Sequence, residues 1–146
     1  MTEKIKIDDF QQLESLPYAK IPIIINEFII HLFNSVDLEK KLNKNEIVEI
    51  KKINQSILEF TEKNIGVTDL KRIRKDAWML HDQSVEPKKS IIRIIIFGLY
   101  EEEFEEHDAE YIAFDIFNAI FFILKKLNSH YAQLFLDFIK NHRFIN

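Results

Sequence analysis

The sequence predicts an all-α protein, folded as a single irregular bundle of six to seven helices over residues 1–146. The chain contains only 2 glycines and 3 prolines, too few for the many tight turns of an all-β fold. Hydrophobic residues make up 47% of the chain and charged residues 30%, an ordinary globular balance that argues against disorder. A chain of 146 residues is also long enough to bury a substantial core within one domain.

Two helices are predicted in the N-terminal part of the chain. The first covers residues 8–16, where apolar residues recur at every third position. Pro22 suits the first turn of the second helix, which extends to about Val36. The β-branched residues 23–25 would also suit a strand, so the pattern leaves that alternative open.

The middle of the chain predicts three further helices. Asn45 is the expected N-cap of the first, which ends before a predicted C-cap at Gly66. Thr68 caps the second, and its predicted buried side includes Trp78. Pro87 opens the third, SIIRIIIFGLY, which is apolar enough for a buried strand but has neighbours that favour a helix.

Two more helices are predicted near the C-terminus. Asp108 is the expected cap of a helix whose residues 112–124 are apolar almost all round, a pattern typical of the central helix of a bundle. Ser129 is the expected cap of the last helix, which turns Tyr131 and Phe135 inward.

Several classes of protein are disfavoured by what the sequence lacks. Without cysteine there are no disulfides and no thiolate metal sites, and two glycines exclude a Gly-rich phosphate loop, so no cofactor is expected. The apolar runs are shorter than the roughly 20 residues of a membrane span, and the N-terminus lacks the apolar region of a signal peptide. We therefore expect a cytoplasmic protein that does not associate with membranes.

The charge distribution favours a basic protein partner over nucleic acid. The net charge is −4, whereas nucleic-acid binding normally requires a dominant basic face. Asp69 and Asp76 are interleaved with the basic residues of one predicted helix, which favours a solvated face. These basic residues are Lys71, Arg72, Arg74 and Lys75.

The segment EEEFEEHDAE is the most distinctive surface feature that the sequence predicts. It has seven carboxylates in ten residues and is expected to form a helix end and a loop. Its alternative interpretations are a merely solvated helix end or a docking surface that steers a basic partner. The predicted partner contacts are Glu101, Glu102, Glu103, Phe104, Glu105, Glu106 and Asp108.

The pair His81-Asp82, at the end of an apolar helix, suggests an alternative hypothesis. It resembles the His-Asp pair of helical metal-dependent phosphohydrolases, although the glycine that usually follows that pair is absent. The resemblance implies His31 as an upstream ligand and Asp108 or Asp115 as a downstream one. Such ligands suit a divalent metal whose hydroxide attacks phosphorus. The other interpretation is a helix C-terminus, where His81 interacts favourably with the helix dipole.

A wider pattern resembles small all-helical immunity proteins of bacterial polymorphic toxin systems. It consists of DLKRIRKDAWMLHDQ, a Pro-led helix, the acidic segment and DAEYIAFDIFNAIFFIL, within the second half of the chain. The resemblance implies a non-catalytic cytoplasmic protein that binds and neutralises a cognate toxin, which we expect to be basic. A homo-oligomeric structural module, such as a homodimer, is a third hypothesis, suggested by the 13 phenylalanines.

Overall fold

The structure, a computed structural model, describes residues 19–100 and 109–141, and every regular element in these two stretches is helical. The all-α prediction is therefore confirmed, while the predicted helix over residues 8–16 lies outside the described residues. The elements are α1 (Lys20–Ser35), a 3-10 helix (Asp37–Lys40), α2 (Lys44–Thr61), α3 (Val67–Gln83), α4 (Lys88–Ile96), α5 (Ala109–Leu127) and α6 (Ser129–Asn141).

The chain divides into two compact units. One unit combines Met1–Ile21 with Glu103–Asn146 and holds α5 and α6. The other is Pro22–Glu102, which holds α2, α3, α4 and nearly all of α1. The expectation of a single domain stays a prediction. In the two described stretches, no helix combines the length and the apolar character that crossing a membrane requires.

Helix α4 forms the apolar centre of the larger unit. It contacts both α2 and α3, which also contact each other. Its buried isoleucines are Ile91, Ile92, Ile94, Ile95 and Ile96. Close packing continues after α4, where a Cβ placed on Gly98 would lie only 2.7 Å from the side chain of Ile57 in α2. The apolar segment that follows Pro87 is helical, as predicted, but only as far as Ile96; residues 97–100 lie outside the helix.

Helices α5 and α6 pack against each other in the smaller unit. The rings of Phe117 and Phe135 meet edge to face, with their centroids 5.9 Å apart. Asn128 separates the two helices, and its side-chain oxygen accepts a hydrogen bond from the backbone N–H of His130 at 2.8 Å. Asn128 therefore has the capping role that the sequence assigned to Ser129, which is instead the first residue of α6.

The N-cap of α2 is Asn43, and the prediction of Asn45 is wrong. The side chain of Asn43 accepts a hydrogen bond from the backbone N–H of Glu46 at 2.8 Å. The carboxylate of Glu46 in turn accepts the backbone N–H of Asn43 at 2.9 Å, which completes a capping box. Two orphan donors are thereby satisfied, whereas Asn45 already lies in the first turn of the helix.

The connection between α2 and α3 also differs from the prediction. Helix α2 ends at Thr61, and Lys63 adopts a left-handed backbone conformation with φ of 64°. Gly66 is not a C-cap; its φ is −95°, and it is the N-cap residue of α3. The chain thus reverses within five residues after α2, and this places α2 and α3 side by side.

Candidate functional site

The predicted acidic contacts, Glu101 to Glu106 and Asp108 together with Phe104, lie outside the described residues. What the structure does describe is the chain directly before this segment. Tyr100 directly precedes Glu101 in the chain, and Leu99 before it is fully buried.

Arg74 of α3 contacts both Leu99 and Tyr100. Its guanidinium donates a hydrogen bond to the backbone carbonyl of Leu99 at 2.9 Å. It also lies over the ring of Tyr100, 4.2 Å from the ring centroid, in a cation–π contact. Two contacts from one rigid guanidinium therefore fix the chain beside α3, immediately before the acidic segment begins.

Trp78 lies one helical turn after Arg74 and is partly exposed. The prediction that it belongs to the buried side of α3 is wrong, since 38% of its surface is accessible. The buried face of α3 contains Leu70 and Ala77, which are seven residues apart. Trp78 follows Ala77 by one residue and is therefore turned about 100° away from that face.

His81 supports the exposed Trp78 and is itself oriented by Asp82. The rings of Trp78 and His81 meet edge to face with centroids 5.2 Å apart. Nδ1 of His81 lies 2.9 Å from a carboxylate oxygen of Asp82, whose side chain is 73% exposed. The imidazole therefore packs against one side of the partly exposed indole at the C-terminal end of α3, where a histidine is also favoured by the helix dipole.

The metal hypothesis gains no support from the ligands that can be located. His31 lies in α1, where its ring contacts the hydroxyl of Ser35, while His81 and Asp82 lie at the end of α3. Within residues 19–100 and 109–141, no three His, Asp or Glu side chains group closely enough to hold a metal ion. Asp108, the fourth residue of that hypothesis, lies outside the described residues, and Asp115 is exposed on α5.

A second surface feature is an open cleft of about 650 Å³ between α2 and α3. Its apolar lining includes the half-buried side chains of Ile53, Ile73 and Leu80, and Met79 at its edge is 53% exposed. The remaining lining residues are Glu49, Lys52, Ser56, Arg72, Asp76, Ala77 and Gln83.

The charged residues of this cleft fall into two groups. Glu49 accepts a 2.7 Å bond from the ammonium of Lys88, and Arg72 lies 3.5 Å from Asp69. Lys52 on α2 and Asp76 on α3 are exposed, and neither has an ion-pair partner among the side chains that the structure describes. Besides these two ion pairs, the cleft therefore has, among the described side chains, an unpaired cation on the α2 wall and an unpaired anion on the α3 wall.

The sequence pattern did not reveal either the cleft or the anchoring role of Arg74. Ile53 and Ile73 have the spacing of ordinary core residues, and Arg74 belongs to a run of basic residues that resembles a solvated face. The proximity of Arg74 and Leu99, which are 25 residues apart, depends on the packing of α4 against α3. Comparison with known protein families, characterised proteins and solved structures finds no match for this chain.

Proposed function

We propose that this chain is a non-catalytic, cytoplasmic immunity protein that binds and neutralises a cognate bacterial toxin. The proposal rests on the resemblance of the segment from Asp69 to Leu124 to such proteins, and on the acidic segment within it. The expected partner is a basic protein, because six carboxylates within residues 101–108 favour association with a positively charged surface.

The observation that best supports this proposal is the contact of Arg74 with Leu99 and Tyr100. It fixes the chain directly before Glu101, next to the helix that presents Trp78. Trp, Tyr and Arg are the residue types most enriched among side chains that dominate binding energy. Trp78 and Tyr100 are each 38% exposed, so a partner that contacts both would bury aromatic surface beside the acidic segment.

Exposed aromatic side chains that already contact a neighbouring side chain favour tight binding. Trp78 is restrained by His81, and Tyr100 by Arg74, so both lose little conformational freedom when a partner covers them. Charged residues at the rim of such a surface mainly accelerate association and select the partner. The acidic segment would thus provide steering and selectivity, while the aromatic side chains provide most of the affinity.

The experiment that tests this proposal is a rescue assay with the product of the reading frame immediately upstream of this gene. That protein would be expressed in a naive bacterial host with and without this chain, and binding would be measured with the purified pair. We expect toxicity that the chain reverses, together with direct binding. A toxic neighbour that neither binds the chain nor is neutralised by it would contradict the immunity function.

Two variants locate the contact. Glu102→Lys/Glu103→Lys should weaken binding by at least about tenfold, because it places cations where a basic partner approaches. Trp78→Ala should weaken binding to a similar extent by removing an aromatic anchor. The matched control is Glu59→Lys/Glu62→Lys at the C-terminal end of α2, which changes the net charge by the same amount. Unaltered affinity of the first variant would rule out the acidic segment as the contact.

A further inference from the structure

We infer that the cleft between α2 and α3 is the interface between two copies of this chain, related by a two-fold axis. This inference is independent of the proposed function, because it concerns only how the chain associates with itself. It rests on the apolar lining of the cleft, on the exposed apolar side chains beside it, and on the arrangement of its unpaired charges.

Several apolar side chains in and beside the cleft remain accessible to solvent. Ile53, Ile73 and Leu80 are only half-buried in its lining. Met79 at the edge is 53% exposed, and Val48, one helical turn before Lys52 on α2, is 59% exposed. Contact with a second apolar surface would remove these side chains from water, which is the main favourable term in protein association.

The charges identify the second surface as a copy of the first. A two-fold interface brings the same patch of each subunit together. If a residue i of one copy contacts a residue j of the other, then j of the first copy also contacts i of the second. Lys52 on the α2 wall can then face Asp76 on the α3 wall of the second copy, and the reverse pair forms at the same time. Glu49 and Arg72 already have partners within the chain, so they leave this one complementary pair.

Helix geometry agrees with this arrangement. Helices α2 and α3 form a hairpin, with a connection of only five residues between Thr61 and Val67. Two such hairpins that meet through their clefts form a four-helix arrangement with a shared apolar core. A basic or acidic foreign partner would gain from only one of the two unpaired charges, whereas a second copy satisfies both.

The first measurement is the molar mass in solution, obtained by light scattering or sedimentation equilibrium over a range of concentrations. We expect a species of twice the 17.5 kDa mass of one chain. Lys52→Glu alone places two carboxylates opposite each other at both contacts, and Asp76→Lys alone places two ammonium groups there. Each single variant should dissociate at least about tenfold more readily than the original chain.

A charge exchange makes the test specific for this interface. Lys52→Glu/Asp76→Lys restores two complementary pairs in reversed order, so this double variant should dimerise again. An equal mixture of the two single variants should form a heterodimer for the same reason. Both residues are exposed, so these changes should leave the fold intact, which circular dichroism would verify. Lys126→Glu on α5 and Asp137→Lys on α6, also exposed, are the matched controls and should leave the dimer unchanged.

Two results would overturn the inference. The first is a wild-type chain that remains monomeric at every concentration measured. The second is a dimer whose dissociation is unaffected by Lys52→Glu and Asp76→Lys, which would place the contact between the copies elsewhere. Neither result bears on toxin binding, so the dimer and the immunity function succeed or fail separately.

Discussion

Asn26 of α1 and Asn54 of α2 each donate a side-chain hydrogen bond to the other's backbone carbonyl. The distances are 2.7 Å from Nδ2 of Asn26 and 3.2 Å from Nδ2 of Asn54. Both residues are almost fully buried, at 1% and 4% exposure. Because a mutual pair of this kind is satisfied at only one offset of the two helices, it fixes the register of α1 along α2.

The two asparagines should contribute unequally to stability. Asn26→Ala should lower the free energy of unfolding by about 2 kcal/mol, since it removes a buried hydrogen bond and its packing. Asn54→Ala should cost less, because it also removes a buried side-chain oxygen that has no partner. Urea denaturation measures both changes, with the exposed Gln55→Ala as a control. Additive losses in the double variant would show that the two bonds are independent.

The capping box of α2 predicts that alanine substitutions of two nearby asparagines will differ in their effect on the free energy of unfolding. Asn43→Ala should lower the free energy of unfolding by about 1 kcal/mol, because it leaves backbone donors of the first turn without acceptors. Asn45→Ala, two residues later, should change it by less than about 0.5 kcal/mol. Thermal denaturation followed by circular dichroism compares the two. Equal losses would contradict the assignment of Asn43 as the cap.

The two glycines of the chain should respond differently to alanine. Gly98→Ala should destabilise the fold by about 1–3 kcal/mol, because the added methyl would lie 2.7 Å from buried Ile57. Gly66→Ala should shift stability by no more than about 0.5 kcal/mol, since nothing lies within 4 Å of its Cβ position. Chemical denaturation of both variants measures the contrast, and a harmless Gly98→Ala would mean that the side chain of Ile57 can shift to accommodate the methyl group.

The ion pair of Lys88 and Glu49 should respond asymmetrically to substitution. Only 9% of the Lys88 side chain is exposed, against 45% for Glu49. Glu49→Gln leaves a nearly buried ammonium without its counter-charge and should cost about 1–2 kcal/mol, a value reduced by the exposure of the carboxylate. Lys88→Met should cost less, because it removes the charge that needs a partner.

The exposed ion pair of Glu39 and Lys51 is a control for the partly buried pair of Lys88 and Glu49. Glu39 lies 3.3 Å from Lys51, and both side chains are 56% exposed. Glu39→Gln should therefore cost less than about 0.5 kcal/mol. Denaturation in urea compares all three substitutions, and a Lys88→Met variant less stable than Glu49→Gln would show that the ammonium of Lys88 stabilises the fold by more than its pairing with Glu49.

The sequence predicts the helical character of this chain well because that character depends on local signals. Few turn residues and a 3.6-residue apolar period identify α2 without knowledge of the tertiary structure, whereas α4 was favoured as a helix only by its neighbours. Caps are also local, and Asn43 and Asn45 are equally suitable by residue type. Only Asn43 has a glutamate three residues later, which is the spacing of a capping box, so the sequence held a signal that the prediction missed.

Burial was harder to predict, because the hydrophobicity of a residue and its place on the packed side of a helix do not always agree in this chain. Asn54 is buried while its apolar neighbour Ile53 lines an open cleft, and Trp78 is exposed while Ala77 beside it is buried. In each pair, burial depends on which side of the helix the residue occupies and on which side packs against another helix. The cleft depends on two packed helices, so the period of either helix alone does not reveal it.

The connection between α2 and α3 has a practical consequence for protein engineering. It carries an exposed left-handed Lys63 and an uncrowded Gly66, and the two helices it joins are both held by α4. The backbone N–H groups of Glu62, Lys63 and Asn64 all bond to carbonyls at the end of α2, so a break is best placed after them. New chain termini or a reporter domain placed between Asn64 and Gly66 should therefore leave the three helices assembled, and this gives a permissive site for labelling the protein.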